Sequence, residues 1–192
     1  MIILGAIIAG GRSKRMGSEK ALIKLGAKSL IARVIDRLIL QVEDIVINAN
    51  GDTKRFEFLE FDIIPDIETE LESPLAGIHS ALTYAHEEGY DAVVTVPSDS
   101  PFLPHDLVRK LAGIKASIAH SNSQDHFLTG FWPVTLLPNL EQEMHKSNRV
   151  QDWVLKINAA KVSWRADDYD PFMNINTPAD MTAALKILPK VR

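Results

Sequence analysis

Short runs rich in β-branched residues alternate along this chain with segments of helical periodicity. No other feature restricts the possible folds as strongly. The run Ile2 to Ile8 leads into a glycine-rich basic loop. The segment "SLIARVIDRLILQV" follows, with Leu30, Ile31, Val34, Ile35, Leu38 and Val42 at helical spacing and Ser29 as N-cap. Next come "DIVINAN", a strand ending in a polar loop, "TKRFEFLEF", a short helix, and "DIIPD", a short strand that stops at a proline. "PLAGIHSALTYAHEEG" reads as a helix with proline near its start and Gly89 at its end. "DAVVTVP" is a nearly continuous apolar strand, as expected where both faces of a sheet are covered. This order predicts an α/β fold with a mostly parallel central sheet.

The second half is less regular. "HDLVRKLAG", "LLPNLEQEMHKSN" and "RVQDWVLKIN" read as helices, and "ASIAH", "HFLTGFWP" and "AKVSWRA" as strands. "TPADMTAALKIL" is a closing helix with Thr177 as N-cap, Pro178 at its first position and Asp180 in its first turn. No repeat or long linker divides the 192 residues, which a single hydrophobic core can serve, so residues 1–192 are expected to form one domain. The chain has no cysteine, which excludes disulfides, thiolate nucleophiles and cysteine-bound metals. A net charge of -4 argues against general nucleic-acid binding, so the basic cluster near the N-terminus is aimed at something small. The apolar start is short and runs straight into a charged loop, which favours a buried strand over a signal peptide or membrane span. A cytoplasmic location is the expectation.

In open α/β sheets, ligands bind beyond the carboxyl ends of the strands. After the first strand stands "GGRSKRMGSEK", with Gly10, Gly11 and Gly17 among Arg12, Lys14, Arg15 and Lys20. Glycines let backbone N–H groups approach an anion, and the basic side chains can neutralise phosphate. After the second strand come Asn48 and Asn50, after "DII" comes Asp66, and after "DAVVTV" comes Asp99 between Pro97 and Pro101. A carboxylate held in such a turn suits a hard divalent cation, which takes one or two carboxylates plus substrate phosphates. Residue type alone leaves blander roles open. The loop can be a solvated surface loop. Asp99 can cap a helix starting near Pro104 or be a turn residue. Asp66 can be turn chemistry, and the asparagines can bind their own loop backbone. His120 and His126 match no ligand spacing and read as satisfied or exposed, and Trp132, Trp153 and Trp164 read as core.

The stretch "IIAGGRSKRMGSEKALIKLGAKSL" resembles the signature loop of nucleotidyltransferases that read [LI]-[LA]-A-G-G-x-S-x-R-M-G-x-D-K-x-L. "NAN", "PLAGI", "VPSDSPFLP" and "DPFMNINTPADM" then follow in the order seen in the molybdenum cofactor guanylyltransferase family. The resemblance spans nearly the whole chain. It implies a Rossmann-like three-layer sandwich of the nucleotide-diphospho-sugar transferase type. It also implies a reaction in which GTP and molybdopterin give the guanine dinucleotide cofactor and pyrophosphate, with Mg²⁺. By position, Ile8, Ala9, Gly10 and Gly11 match the nucleotide loop, and Lys20 its phosphate-binding lysine. Asn48 and Asp66 match nucleotide contacts, Asp99 the metal-binding aspartate, and Asn174 and Asn176 the pterin side. Lys20, Arg15 and Asp99 are the implied catalytic set, acting by positioning and charge stabilisation with no protein nucleophile. Transient contacts with other cofactor-biosynthesis proteins or acceptor enzymes are compatible with this role.

Three departures stand out: Glu19 replaces the usual aspartate before the lysine, "AKSL" replaces G-K-P-L, and "QDHFLTGFWP" matches the substrate-side strand only loosely. The competing readings are a cytidylyltransferase acting on the same pterin or on another small phosphate, and a nucleotide-binding protein without chemistry. Two local expectations concern "DPFMNINTP". Phe172, Asn174 and Asn176 should share one face of an extended segment. The two asparagines should also serve the second substrate, and their loss should leave GTP affinity nearly unchanged, because the segment lies far along the chain from the nucleotide loop.

Overall fold

The computed structural model describes residues 1–9, 20–67, 73–113 and 115–191. In chain order, β1 (Ile3–Ile8) is followed by a short 3-10 turn at Lys20–Leu22, β2 (Lys24–Leu25), β3 (Lys28–Ser29) and α1 (Leu30–Leu38). Then come β4 (Asp44–Asn48), a 3-10 helix at Thr53–Leu59, β5 (Asp62–Ile64), α2 (Pro74–Glu87) and β6 (Ala92–Pro97). The second half holds α3 (Leu107–Leu111), β7 (Ser117–Ser121), β8 (Gln124–Pro133), α4 (Leu137–Met144), α5 (Val150–Lys156), β9 (Ala160–Ser163) and α6 (Pro178–Ile187).

Local chemistry sets several of these boundaries. The Ser29 hydroxyl accepts the Ala32 N–H at the start of α1. Thr177 and Asp180 close a reciprocal capping box at the start of α6, with Pro178 in the first turn. Gly89 sits at φ +82 just past α2, the left-handed conformation that ends many helices. The tiny β2–β3 hairpin, absent from the sequence pattern because each strand has two residues, turns at Gly26, φ +66. The segment Thr53–Leu59 is helical as expected but of the tighter 3-10 form.

Seven strands form one sheet in the order β5-β4-β1-β6-β8-β7-β9. β1 pairs in parallel with β4 and β6, β4 with β5, and β7 with β9, while β8 is antiparallel to both β6 and β7. Only β8 therefore runs against the rest, and the sheet is mostly parallel as expected.

Alternate residues of the central strands enter two different cores, which makes the architecture three layers. Ile7, Ala92, Val94 and Val96 pack with α1 and α3 residues such as Val34, Leu38, Leu107 and Leu111. Leu4, Ala6, Ile8 and Val93 pack on the other face with residues from α2, α4 and α5, including Ile78, Leu140 and Trp153. Trp132 and Trp153 are core side chains, whereas Trp164 is only partly buried. A third, smaller core joins Leu25, Leu30, Phe102, Ile175 and Ala184, so α6 packs on the hairpin that follows Lys20. No helix among the described residues is long and apolar enough to cross a membrane.

Candidate active site at the strand ends

Ile8 is in register with Asn48 on one side and Pro97 on the other. The carboxyl ends of β4, β1 and β6 therefore lie side by side, and Asn48 and Pro97 are two strand spacings apart, roughly 10 Å. The Ala9 N–H donates to Asn48 O at 2.8 Å and the Ser98 N–H to Ile8 O at 3.1 Å, which extends the ladder into the loops. Of the expected site residues, Gly10, Gly11 and Arg15 lie outside the described residues.

One half of the site is a carboxylate held by two amides. Asp66 Oδ1 accepts from Asn48 Nδ2 at 2.8 Å and Oδ2 from Asn50 Nδ2 at 2.6 Å, and the Asp66 N–H returns a bond to Asn50 Oδ1 at 2.8 Å. Asn48 is 1% exposed and also donates to Ile64 O at 3.2 Å. The asparagines thus orient Asp66 rather than only satisfying their own loop. Sequence places Asn50 at this strand end but assigns it no ligand role, and Gly77 belongs to the arrangement without being singled out there. The sequence signals were the "NAN" repeat and the glycine inside "PLAGI".

Gly77 has a steric role. A Cβ there would collide with Asn48 Oδ1 and lie 3.1 Å from Asn48 Cγ and 3.3 Å from Ile8 Cγ2. Alanine in mid-helix would contribute about 1 kcal/mol through helix propensity. The collision falls on a buried amide that cannot swing away without releasing Asp66, and overpacking of that kind costs about 1–3 kcal/mol. Gly77→Ala is therefore expected to lower stability by up to about 2 kcal/mol net. Thermal melts check this, and an unchanged melting temperature would show that Asn48 has room to move.

The other half assembles around Asp99, two residues past β6. Lys20 Nζ pairs with Asp99 Oδ2 and also donates to Asn176 Oδ1 at 2.5 Å. Asn174 Nδ2 donates to Asp99 Oδ1 at 2.8 Å, and the Ile175 N–H to the Asp99 backbone carbonyl at 3.0 Å. The Lys20 and Asp99 side chains are each 14% exposed, so water screens the pair only in part. The helix-capping alternative for Asp99 does not hold: α3 begins at Leu107, and the Asp99 carboxylate is taken by Lys20 and Asn174. Beyond the segment, the N–H groups of Asn176 and Thr177 both donate to Asp180 Oδ2. Those donors, the Asn176 N–H foremost, hold the Asp180 carboxyl below its ordinary value.

One expectation about the 170–178 segment is corrected. Phe172 does not share a face with the asparagines. Its ring is buried in the first core while both asparagines are exposed, because an aromatic ring gains more by leaving water than strict alternation would allow. Asn174 and Asn176, far along the chain from the N-terminal loop, bond Asp99 and Lys20 directly. Separation along the chain says nothing about separation in space once the closing helix folds back on the hairpin.

His120 and His126 are satisfied, as read. His120 Nδ1 lies 2.7 Å from Asp125 Oδ1, and His126 Nε2 lies 2.7 Å from Ser121 Oγ. Among the described residues, no group of three His, Cys, Asp or Glu side chains could hold a metal alone.

Residues 5–160 match the family described as MobA-like NTP transferase domain. The chain is similar to a molybdenum cofactor guanylyltransferase of Rhizobium leguminosarum bv. trifolii, 40% identical over 99% of this chain and 95% of the relative. It is also similar to the enzyme of that name from Rhodobacter capsulatus, 39% identical over 96% and 95%. Among solved structures it resembles the molybdopterin-guanine dinucleotide biosynthesis protein A of Archaeoglobus fulgidus, with a TM-score of 0.74, 22% identity and coverage of 97% and 99%. A 4-diphosphocytidyl-2C-methyl-D-erythritol synthase from Anaerococcus prevotii has the same TM-score, 0.74, at 15% identity and coverage of 98% and 96%. Backbone shape is thus common to proteins named for different bases, and the likeness to these structures speaks only to the fold.

Proposed function

Since the chain belongs to the MobA-like NTP transferase family, we infer that it is a nucleotidyltransferase that transfers GMP from GTP to molybdopterin, releasing pyrophosphate. The observation that carries this reading is the convergence of Lys20, Asp99, Asn174 and Asn176 at the strand ends of a chain that is 40% identical to a guanylyltransferase along its length. All 192 residues act in this reading as one domain, because the third core ties the C-terminal helix to the hairpin after Lys20. The reaction is assigned to the cytoplasm, with GTP and molybdopterin as partners and neither nucleic acid nor membrane required.

In the reaction, a terminal phosphate oxygen of the pterin attacks the α-phosphorus of GTP. A new P–O bond forms, the bond from the α-phosphorus to the bridging oxygen breaks, and pyrophosphate leaves with that electron pair. Negative charge grows on the leaving oxygens, so the task of the protein is positioning and charge stabilisation. Lys20, with Arg15 and the backbone of Ala9, Gly10 and Gly11, is assigned to the triphosphate. Ile8, Asn48 and Asp66 are assigned to the nucleoside, and Asn174 and Asn176 to the pterin phosphate and its neighbours.

The donor set fits Mg²⁺. The Lys20 ammonium already sits between Asp99 Oδ2 and the amide oxygen of Asn176, so this point attracts a cation, and its donors are hard oxygens. Asp99, with the amide oxygens beside it, would hold the ion. When bound there, Mg²⁺ would neutralise charge on the triphosphate. Lys20 must then leave Asp99 for the phosphates, a shift its long side chain permits.

The test is pyrophosphate release with molybdopterin supplied and each nucleoside triphosphate in turn. GTP is expected to exceed CTP by at least about tenfold in kcat/KM, about 1.4 kcal/mol. Equal use of the two would move the protein to the cytidylyl branch, and no release with any nucleotide would make it a binder.

A further inference from the structure

The residues that bear Asn174 and Asn176 lie between a turn at residues 171–172 and the start of α6, outside any helix or strand. Some other structure must fix their position. The capping box holds the far end. The near end begins at Asp170, whose Oδ1 accepts the Phe172 N–H at 2.9 Å and the Ser121 hydroxyl at 2.6 Å. Ser121 Oγ in turn lies 2.7 Å from His126 Nε2. The single hydroxyl proton goes to the carboxylate, so the serine oxygen accepts from His126 Nε2–H, and this bond fixes the tautomer.

Ser121 is the last residue of β7 and His126 the third of β8. A two-residue turn joins the strands, with Asn122 at φ 48 and Ser123 at φ 61, the pair of positive values that a type I′ hairpin requires. The hairpin brings a rigid ladder to the root of an irregular segment. The His126 ring also packs on Phe172, with centroids 4.9 Å apart, and Trp164 meets the same ring edge-on at 5.1 Å.

A serine, a histidine and an aspartate in one chain invite a nucleophile reading, but the order of bonds excludes it. The serine stands between the other two, gives its proton to the carboxylate and receives one from the histidine, so the histidine is not placed to act as its base. It is also 1% exposed.

We infer that His126, Ser121 and Asp170 are positioning residues for the transfer reaction, a relay that sets where Asn174 and Asn176 stand against Asp99 and Lys20. This rests on the guanylyl-transfer reading given above and adds residues to it. Burial of His126 pushes its ring below the ordinary histidine value, which favours the neutral ring, with Nε2–H as its donor to the serine.

Two variants remove the relay and keep the packing: Ser121→Ala deletes the central oxygen, and His126→Phe keeps a ring on Phe172 without the donor. Each is expected to lower kcat/KM for molybdopterin about tenfold, the value of one buried hydrogen bond made to work at a distance. His126→Gln, which restores an N–H near the same point, is expected to recover most of that loss. In an Asn174→Ala/Asn176→Ala background, each relay variant should cost less than about twofold more, since the groups it positions are gone. Amide exchange at Phe172 and Ile175 should quicken in Ser121→Ala and His126→Phe and return to the parent rate in His126→Gln. That measurement does not need turnover. An inactive parent enzyme would refute the function proposed above, whereas unchanged exchange at these two amides would refute the relay. A loss that is fully additive in the double-alanine background would also refute it, by showing that the three residues act elsewhere.

Discussion

Lys20→Ala is expected to lower kcat by about 10²–10³, roughly 2.7–4 kcal/mol of transition-state stabilisation, the effect of deleting one preorganised donor at developing charge. KM for GTP should change less, because the charge on the leaving pyrophosphate grows only as the bond to the α-phosphorus breaks. The protein should remain folded. Lys20 opens a three-residue turn whose anchor in the first core is Ala21, not the lysine, and Asp99 keeps its bond from Asn174 when the ammonium is gone. Single-turnover rates with saturating GTP and molybdopterin are the measurement, with a melting curve alongside. Turnover within about threefold of the parent, well under the loss expected for one such donor, would remove Lys20 from the mechanism and leave it as a surface partner of Asp99.

Asp99→Asn is expected to weaken metal-linked GTP binding by about 10- to 100-fold, the range for losing a charged hydrogen-bond partner. The substitution keeps the shape and loses two things at once. The negative charge that attracts a hard cation disappears. The two acceptor oxygens, one taken by Lys20 and the other by Asn174, become one acceptor and one donor. Either Lys20 or Asn174 must then face an N–H group, so the segment bearing the asparagines should shift as well. Calorimetric titration of GTP with and without Mg²⁺ reads the first effect, and the rate with molybdopterin reads the second. If the affinity with Mg²⁺ matched that of the parent, Asp99 would be a structural member of the turn, holding Ile175 and Asn174 in place and nothing more.

Much of the fold was legible because its signals act within a few residues. Ser29 and the Thr177–Asp180 pair announce helix starts through bonds that span three positions. The nearly continuous apolar run at Ala92–Pro97 announces a strand covered on both faces, and it lies at the centre of the sheet. Placing Asn48, Asp66 and Asp99 at strand ends needed only those strand assignments and the rule that parallel sheets bind ligands at their carboxyl edge.

Tertiary structure decided what local rules could not reach. The reversed direction of β8 depends on which faces complement one another after collapse, since its own residues suit either direction. Lys20 meets Asp99 across 79 positions and Asn176 across 156, and Ser121 meets Asp170 across 49. Helical and strand periodicities carry no information over such separations. Phe172 shows the same limit within a single motif. Alternation put it beside the asparagines, but the space between His126 and Trp164 offered its ring burial and two aromatic contacts, and burial outweighed the pattern. The residue types and their order thus established a parallel α/β sheet with polar groups at its strand ends. Only the packing of the C-terminal helix against the hairpin after Lys20 brought the first and last motifs onto one carboxylate, because that contact depends on a shared apolar core that no short stretch of sequence contains.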